Sequence, residues 1–197
     1  ADTIDVKDRD AMAEWIAKAD AAHPLDLVIA NAGISGGPGS SGEDEGLVRE
    51  IFAVNMAGVL NTVLPAATAM AMGKGGQIAI MSSLSGLRGL PSAPAYSASK
   101  GAVRAWGEAL RVVLARDNIA VSVICPGFVE TPMTATNKFP MPFKVSAEEA
   151  ARIIRRGLAR NKPRIAFPWP TYWTMWLLSV LPVGVGDRLL ARLPKKG

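Results

Sequence analysis

Tyr96 and Lys100 stand four residues apart at the start of an apolar-periodic stretch, so in a helix the phenol and the ammonium share one face. A fixed cation beside a phenol favours the phenolate and lowers a pKa that is about 10 in a free peptide. A tyrosine so placed can give or take a proton near neutral pH. Ser83 lies upstream, at the end of the run Gln77-Ile78-Ala79-Ile80-Met81, which reads as a strand. In a parallel sheet the carboxyl ends of the strands face the ligand crevice, and a hydroxyl there can donate to a substrate oxygen as charge develops on it. With one histidine, His23, and one cysteine, Cys125, there is no cluster of metal-ligand spacing, so no metal is expected.

Such side chains need a rigid frame. A chain of 197 residues, 49% of them hydrophobic, can bury one sizeable core, and a single α/β domain over 1–197 is expected. The net charge of +5 would permit an anionic partner. The cations are dispersed or gathered at the C-terminus without interleaved aromatics, so no nucleic acid is expected. A lone cysteine excludes an internal disulfide and fits a reducing compartment; at the end of an apolar strand it reads as packing. The first twelve residues are charged and carry no apolar run of a secretory signal.

Residues 7–22 place Met12, Trp15, Ile16 and Ala19 at helical spacing, with Asp8 and Asp10 near the helix start. Residues 25–30 are an apolar run too short for most helices and read as a strand covered on both faces, ended by Asn31-Ala32-Gly33. Gly37-Pro38-Gly39-Ser40-Ser41-Gly42 matches the letters of a dinucleotide fingerprint, but Asn61 and Thr62 lie inside a helix where the acidic ribose partner should be. A flexible loop is the better reading. A long helix follows to about Met72, with Leu47, Ile51, Val54, Val59, Val63 and Leu64 supplying its apolar faces. Asn55 sits among them and must find partners if buried. Residues 94–116 read as a helix with Val103, Leu110 and Leu114 inward, and residues 119–125 as a buried strand broken by Pro126-Gly127. Ser146-Ala147-Glu148-Glu149 reads as a capping box opening a helix to Ala159, and residues 164–168 as the last strand. Trp169, Tyr172, Trp173, Trp176 and Leu177 recur at helical spacing, ahead of Arg188, Arg192, Lys195 and Lys196. Pro170 and Pro182 interrupt that apolar stretch, which falls short of a span of about 20 residues. A membrane interface, a pocket wall or a subunit contact would each account for it.

Four motifs in a fixed order resemble those of the short-chain dehydrogenases/reductases, across nearly the whole chain: Asn31-Ala32-Gly33, Val54-Asn55, Ser83 with Tyr96 and Lys100, and Pro126-Gly127-Phe128-Val129-Glu130-Thr131. The resemblance implies a Rossmann-like, doubly wound parallel sheet and NAD or NADP as cofactor. Tyr96 would transfer the proton, Lys100 would lower its pKa and hold the nicotinamide ribose, Ser83 would bond the substrate oxygen, and Asn55 would position a proton-relay water. Asp5 and Val6 would contact adenine from the end of a strand. Asn31, Ala32 and Gly33 would line the crevice. Pro126 and Gly127 would close over the nicotinamide, with Val129 and Thr131 on its carboxamide and the adjoining phosphate.

On that pattern the first two strands and the Gly-rich pyrophosphate turn would precede Ala1, and the native polypeptide is expected to be longer by roughly 60 residues, two β-α units of about 30 each. Residues 128–161 are expected to form a substrate loop or lid, with Phe139, Met141 and Phe143 favouring an apolar substrate, and residues 169–197 an apolar extension. The reading is an oxidoreductase that interconverts a secondary alcohol and a ketone, in a cytoplasmic homodimer or homotetramer. Two alternatives stand beside it: a non-catalytic binding or assembly module, and a membrane-peripheral enzyme held through residues 169–197.

Overall fold

Alternation along the strands, with residues pointing to opposite faces in turn, sorts this chain into layers. The computed structural model describes residues 2–37, 43–135 and 140–191. Its sheet has four parallel strands in the order β1 (Leu27–Ala30), β2 (Gly76–Met81), β3 (Ile119–Pro126) and β4 (Arg164–Phe167). Ile78, Ile80 and Val121 point to one face, where they meet Val59, Val63 and Met70 of α3 (Gly58–Met72) and Val103 of α4 (Pro94–Leu114). Ala79, Ile124, Ile165 and Phe167 point to the other, against α6 (Ala147–Ala159). With helices on both faces, the sheet is doubly wound, as expected.

The helix starts follow the caps written in the sequence. Asp8 accepts from Ala11 N at 3.0 Å to open α1 (Arg9–Ala22), Asp44 from Leu47 N at 2.8 Å to open α2 (Glu45–Phe52), and Ser146 from Glu149 N at 3.1 Å to open α6. Met12 and Ile16 of α1 pack on Ala66 of α3, with Ile4 and Val6 closing the same cluster.

Several expectations fail at the sheet's β1 end. Residues 2–5 form no strand; the chain turns at Val6 and Lys7, Val6 fills space that any side chain at Gly58 would need, and Asn61 Nδ2 donates to Val6 O at 2.9 Å. Residues 2–7 therefore pack on α3. Among the described residues β1 is the outermost strand, and Leu27 and Ile29 are 42% and 45% exposed, so the described residues cover the run from 25 to 30 on one face. Gly37 is the last described residue before the Gly/Ser loop, whose residues 38–42 lie outside the described residues.

The helical rod Glu45–Met72 is long and apolar enough to cross a bilayer by length and composition, yet Ile51, Val59, Val63, Ala66 and Met70 are buried within the protein. It is not one regular helix. A π turn, Ala53–Ala57, separates α2 from α3, Gly58 N bonding back to Ala53 O. The inserted residue re-aims the faces, so Asn55 is fully buried and Leu64, expected inward, is 52% exposed. Past β3, the short α5 (Pro132–Ala135) is followed by α6, then β4, α7 (Trp169–Val180) and α8 (Val183–Leu190).

Candidate active site

Two hydrogen bonds fix α4 against the end of β2, and a carboxylate caps its start. Pro94 occupies the first turn of α4, where its missing N–H costs nothing. The next free donor, Ala95 N, is met by the Glu43 carboxylate at 3.1 and 3.2 Å, a cap supplied from the far side of the Gly/Ser loop. Ser82, the last residue before Ser83, donates to Lys100 O at 2.8 Å. Lys100 Nζ donates to Met81 O at 2.8 Å. Gly86 lies so close to α4 that a Cβ there would fall 2.8 Å from the Lys100 carbonyl.

Asn55 completes the frame. Its Oδ1 accepts from Ile34 N at 2.8 Å, and its Nδ2 donates to Ile34 O at 2.9 Å and to Ser99 Oγ at 3.1 Å. Ser99 in turn donates to Tyr96 O at 2.8 Å. The Asn55 side chain thus clamps the crevice strand's exit to the turn that carries Tyr96. Gly33 sits where this clamp meets the cation: a Cβ there would lie 3.1 Å from Asn55 Oδ1 and 3.2 Å from Lys100 Nζ.

Ser83 and Tyr96 share a cavity of about 190 Å³ whose apolar wall comes from Leu84, Leu90, Phe128, Met133 and Met175. Ser83 Oγ accepts from Ser85 Oγ at 2.9 Å and from Ser85 N at 3.2 Å. Burial pushes the Tyr96 phenol above its ordinary value, and its hydrogen bond to Ser83 opposes that. The resemblance implies that Lys100 lowers the phenol, whereas the net direction at Tyr96 is upward. The Lys100 ammonium is turned to Met81 O, 5.9 Å from the Tyr96 ring centre, and burial lowers its own pKa to about 8, with Cys125 a small opposing influence. The buried Cys125 thiol is itself pushed up to about 11 by burial.

The other sequence candidates divide. Gly127 lines the cavity beside Phe128, and Pro126 O accepts from Ser83 Oγ at 3.4 Å. Val129 bridges to Val145, and Thr131 engages Thr134, whose hydroxyl donates to Val129 O at 2.6 Å; neither lines the cavity. Asn31 and Ala32 are exposed at the end of β1, and Asp5 is exposed, bonded to Lys7 N at 3.0 Å. Phe143 is 61% exposed, and neither it nor Met141 is part of the cavity wall. Phe139 lies outside the described residues. The apolar character expected of the pocket is present, but Leu84, Leu90, Met133 and Met175 supply it. Of residues 128–161, the part from Ala147 on is a scaffold helix under the sheet rather than a lid.

Ser99, Ser82 and Glu43 are the positioning residues that sequence reasoning passed over. Ser82 and Ser99 were findable, each standing one position before a key residue. Glu43 carried no signal, because its partner is 52 positions away.

A profile described as short chain dehydrogenase matches residues 2–140. The chain belongs to the short-chain dehydrogenase family. An uncharacterized oxidoreductase of Myxococcus xanthus is 38% identical over 191 residues, covering 96% of this chain and 76% of that protein. A 3-oxoacyl-(acyl-carrier-protein) reductase of Thermotoga maritima is 31% identical over 169 residues, 77% of this chain and 66% of that one. A short chain dehydrogenase of Burkholderia cenocepacia solved with NADP superposes with a TM-score of 0.82 at 25% identity, over 97% of this chain and 77% of its own. One from Mycobacterium paratuberculosis, bound to NAD, gives 0.72 at 26% identity, over 84% and 70%. This short-chain dehydrogenase is an oxidoreductase with a parallel Rossmann-type sheet.

Proposed function

We propose that the protein catalyses the NAD(P)-dependent interconversion of an apolar ketone and its secondary alcohol. The observation that carries this is that Tyr96 and Ser83 line one cavity, walled by Leu84, Leu90, Phe128, Met133 and Met175. A carbonyl oxygen there can accept from both hydroxyls, while an apolar wall leaves no partners for the extra hydroxyls of a sugar or polyol. That relatives are named for reducing a 3-oxoacyl group, and that related structures hold NADP or NAD, supports the same class.

The residues present fit the nicotinamide and ribose end of such a cofactor. Gly33 keeps a cradle open where any Cβ would crowd Asn55 Oδ1 and Lys100 Nζ. Lys100 would hold the ribose, Gly127 would lie over the ring, and the crevice would run past Asn31 and Ala32. When bound, the cofactor supplies the hydride. Tyr96 gives its proton to the substrate oxygen in reduction and takes it back in oxidation, and Ser83 bonds the same oxygen as its charge grows. Because Tyr96 is neutral near pH 7 in this setting, it is poised as the acid of the reductive direction. Asn55, Ser82, Ser99 and Glu43 hold the geometry.

Exposed Leu64 and Met72 on α3 and Val112 and Val113 on α4 favour pairing of two copies through that side. The test is titration of the protein with NADPH or NADH, followed by nicotinamide fluorescence, and then assay of matched ketones and polyols. Enhanced fluorescence with turnover of the apolar ketones is expected. Binding without turnover of any ketone would overturn the reading in favour of a binding module, and a higher kcat/KM for polyols would overturn the substrate class.

A further inference from the structure

α7 has two faces of opposite use. Thr171 and Met175 look into the reaction cavity, while Trp169, Trp173, Trp176, Leu177 and Val180 line the outer side at helical spacing. Trp169 is 73% exposed, Trp173 54% and Val180 57%, and Val183, Val185 and Leu189 of α8 are exposed as well. Large apolar side chains gathered on one exposed face mark an interaction site.

We infer that this face docks on an anionic lipid surface. The whole of α7 carries no charged residue. Its outward hydroxyls are already satisfied within the helix: Thr174 donates to Pro170 O at 3.0 Å and Ser179 to Trp176 O at 2.7 Å, so neither demands water when the face enters a less polar layer. Tyr172, Trp173 and Trp176 stack edge to face, with centroids 5.6 and 5.4 Å apart, which leaves little side-chain freedom to lose on insertion. Tryptophans of this kind favour the headgroup boundary.

Charge chooses the lipid over a second copy. On α8, Asp187 is neutralised by Arg88 at 2.8 Å and Arg188 is exposed, so among the described residues the charge beside the patch is positive, in a chain of net charge +5. Two copies would bring like charges together there, whereas anionic headgroups complement them. The contact would be peripheral, since Pro168 and Leu181 bound α7 at twelve residues. Resting on the apolar-ketone reading, Met175 then places the cavity wall one helix diameter from the bilayer, and the substrate is one that partitions into it.

The test is co-sedimentation of the protein with phosphatidylcholine vesicles, with and without phosphatidylglycerol, read with tryptophan emission. Pelleting with the anionic vesicles and a blue shift are expected, Trp15 and Trp106 giving a constant background. Trp169→Gln with Leu177→Gln should lower partitioning about tenfold, and raised salt should weaken it. Quenching of the unaltered protein by brominated acyl chains needs no variant and should reach these tryptophans. Absence of pelleting and quenching overturns the inference, as does equal pelleting of a folded double variant. So does a dimer that the double variant splits while vesicles bind neither. Tyr96→Phe should pellet like the parent, so loss of turnover and loss of lipid binding are read separately.

Discussion

The floor of the reaction cavity and its cover are held in different ways. On the floor, Asn55, Ser82, Ser99 and Lys100 are buried, and each bonds to a group from another element or an adjoining turn. The cover around Met133 is tied over shorter sequence distances: Thr134 bonds Thr131 and Val129 O, residues 128–130 pair with Val145, and Met133 is exposed. Long-range buried bonds fix the proton-transfer groups on rigid elements, while local bonds leave the substrate-facing segment free to adapt. The difference teaches where substitutions should act on chemistry or stability and where on substrate choice alone.

The largest effect tests the floor's chemistry. Tyr96→Phe removes only the ionisable oxygen, so turnover should fall by about 10²–10⁴-fold with the melting temperature nearly unchanged. Unaltered turnover would remove Tyr96 from the mechanism.

Next comes the buried cation. Lys100 has its pKa lowered from 10.5 to about 8, so between those values the unfolded chain keeps a proton that the native one has released. More protons on the unfolded state mean that stability rises with pH. Cys125 and Tyr96 are shifted upward and slope the opposite way at the alkaline end, so the difference between the parent and Lys100→Met isolates the effect. Denaturant titrations should show that difference growing by up to about 3 kcal/mol from pH 8 to 10.5. A flat difference would mean that Lys100 is better solvated than its burial indicates.

Asn55→Ala should cost about 2 kcal/mol of stability, because Ile34 N–H and C=O both lose their partner inside the protein. Glu43→Ala removes one cap at a helix start and should cost about 1 kcal/mol, with a modest fall in kcat as the Tyr96 turn loosens. A normal kcat together with the full stability loss would make Glu43 structural only.

On the cover, Met133→Ala should move stability by less than about 0.5 kcal/mol, as an exposed side chain does. It should change KM among apolar ketones several-fold while leaving kcat alone. A large stability loss there would break the contrast between floor and cover.

Much of this was legible in the sequence because local rules wrote it. The caps at Asp8, Asp44 and Ser146, the strands β2 and β3, and the helical spacing of Tyr96 and Lys100 depend on neighbours a few residues away, where propensity and periodicity act. The ordered motifs were enough to name the family. What the tertiary structure alone decided depends on distant partners. Whether Lys100 faces the phenol or Met81 O is set by burial and by a carbonyl 19 positions away. The tie from Glu43 to α4 crosses the Gly/Ser loop, and the cavity wall draws Met175 from α7 instead of Met141 and Phe143 from the loop. The end of β1 and the path of residues 2–5 follow from which strands and helices are there to pack on, because an edge strand's exposure belongs to the sheet and not to its own residues.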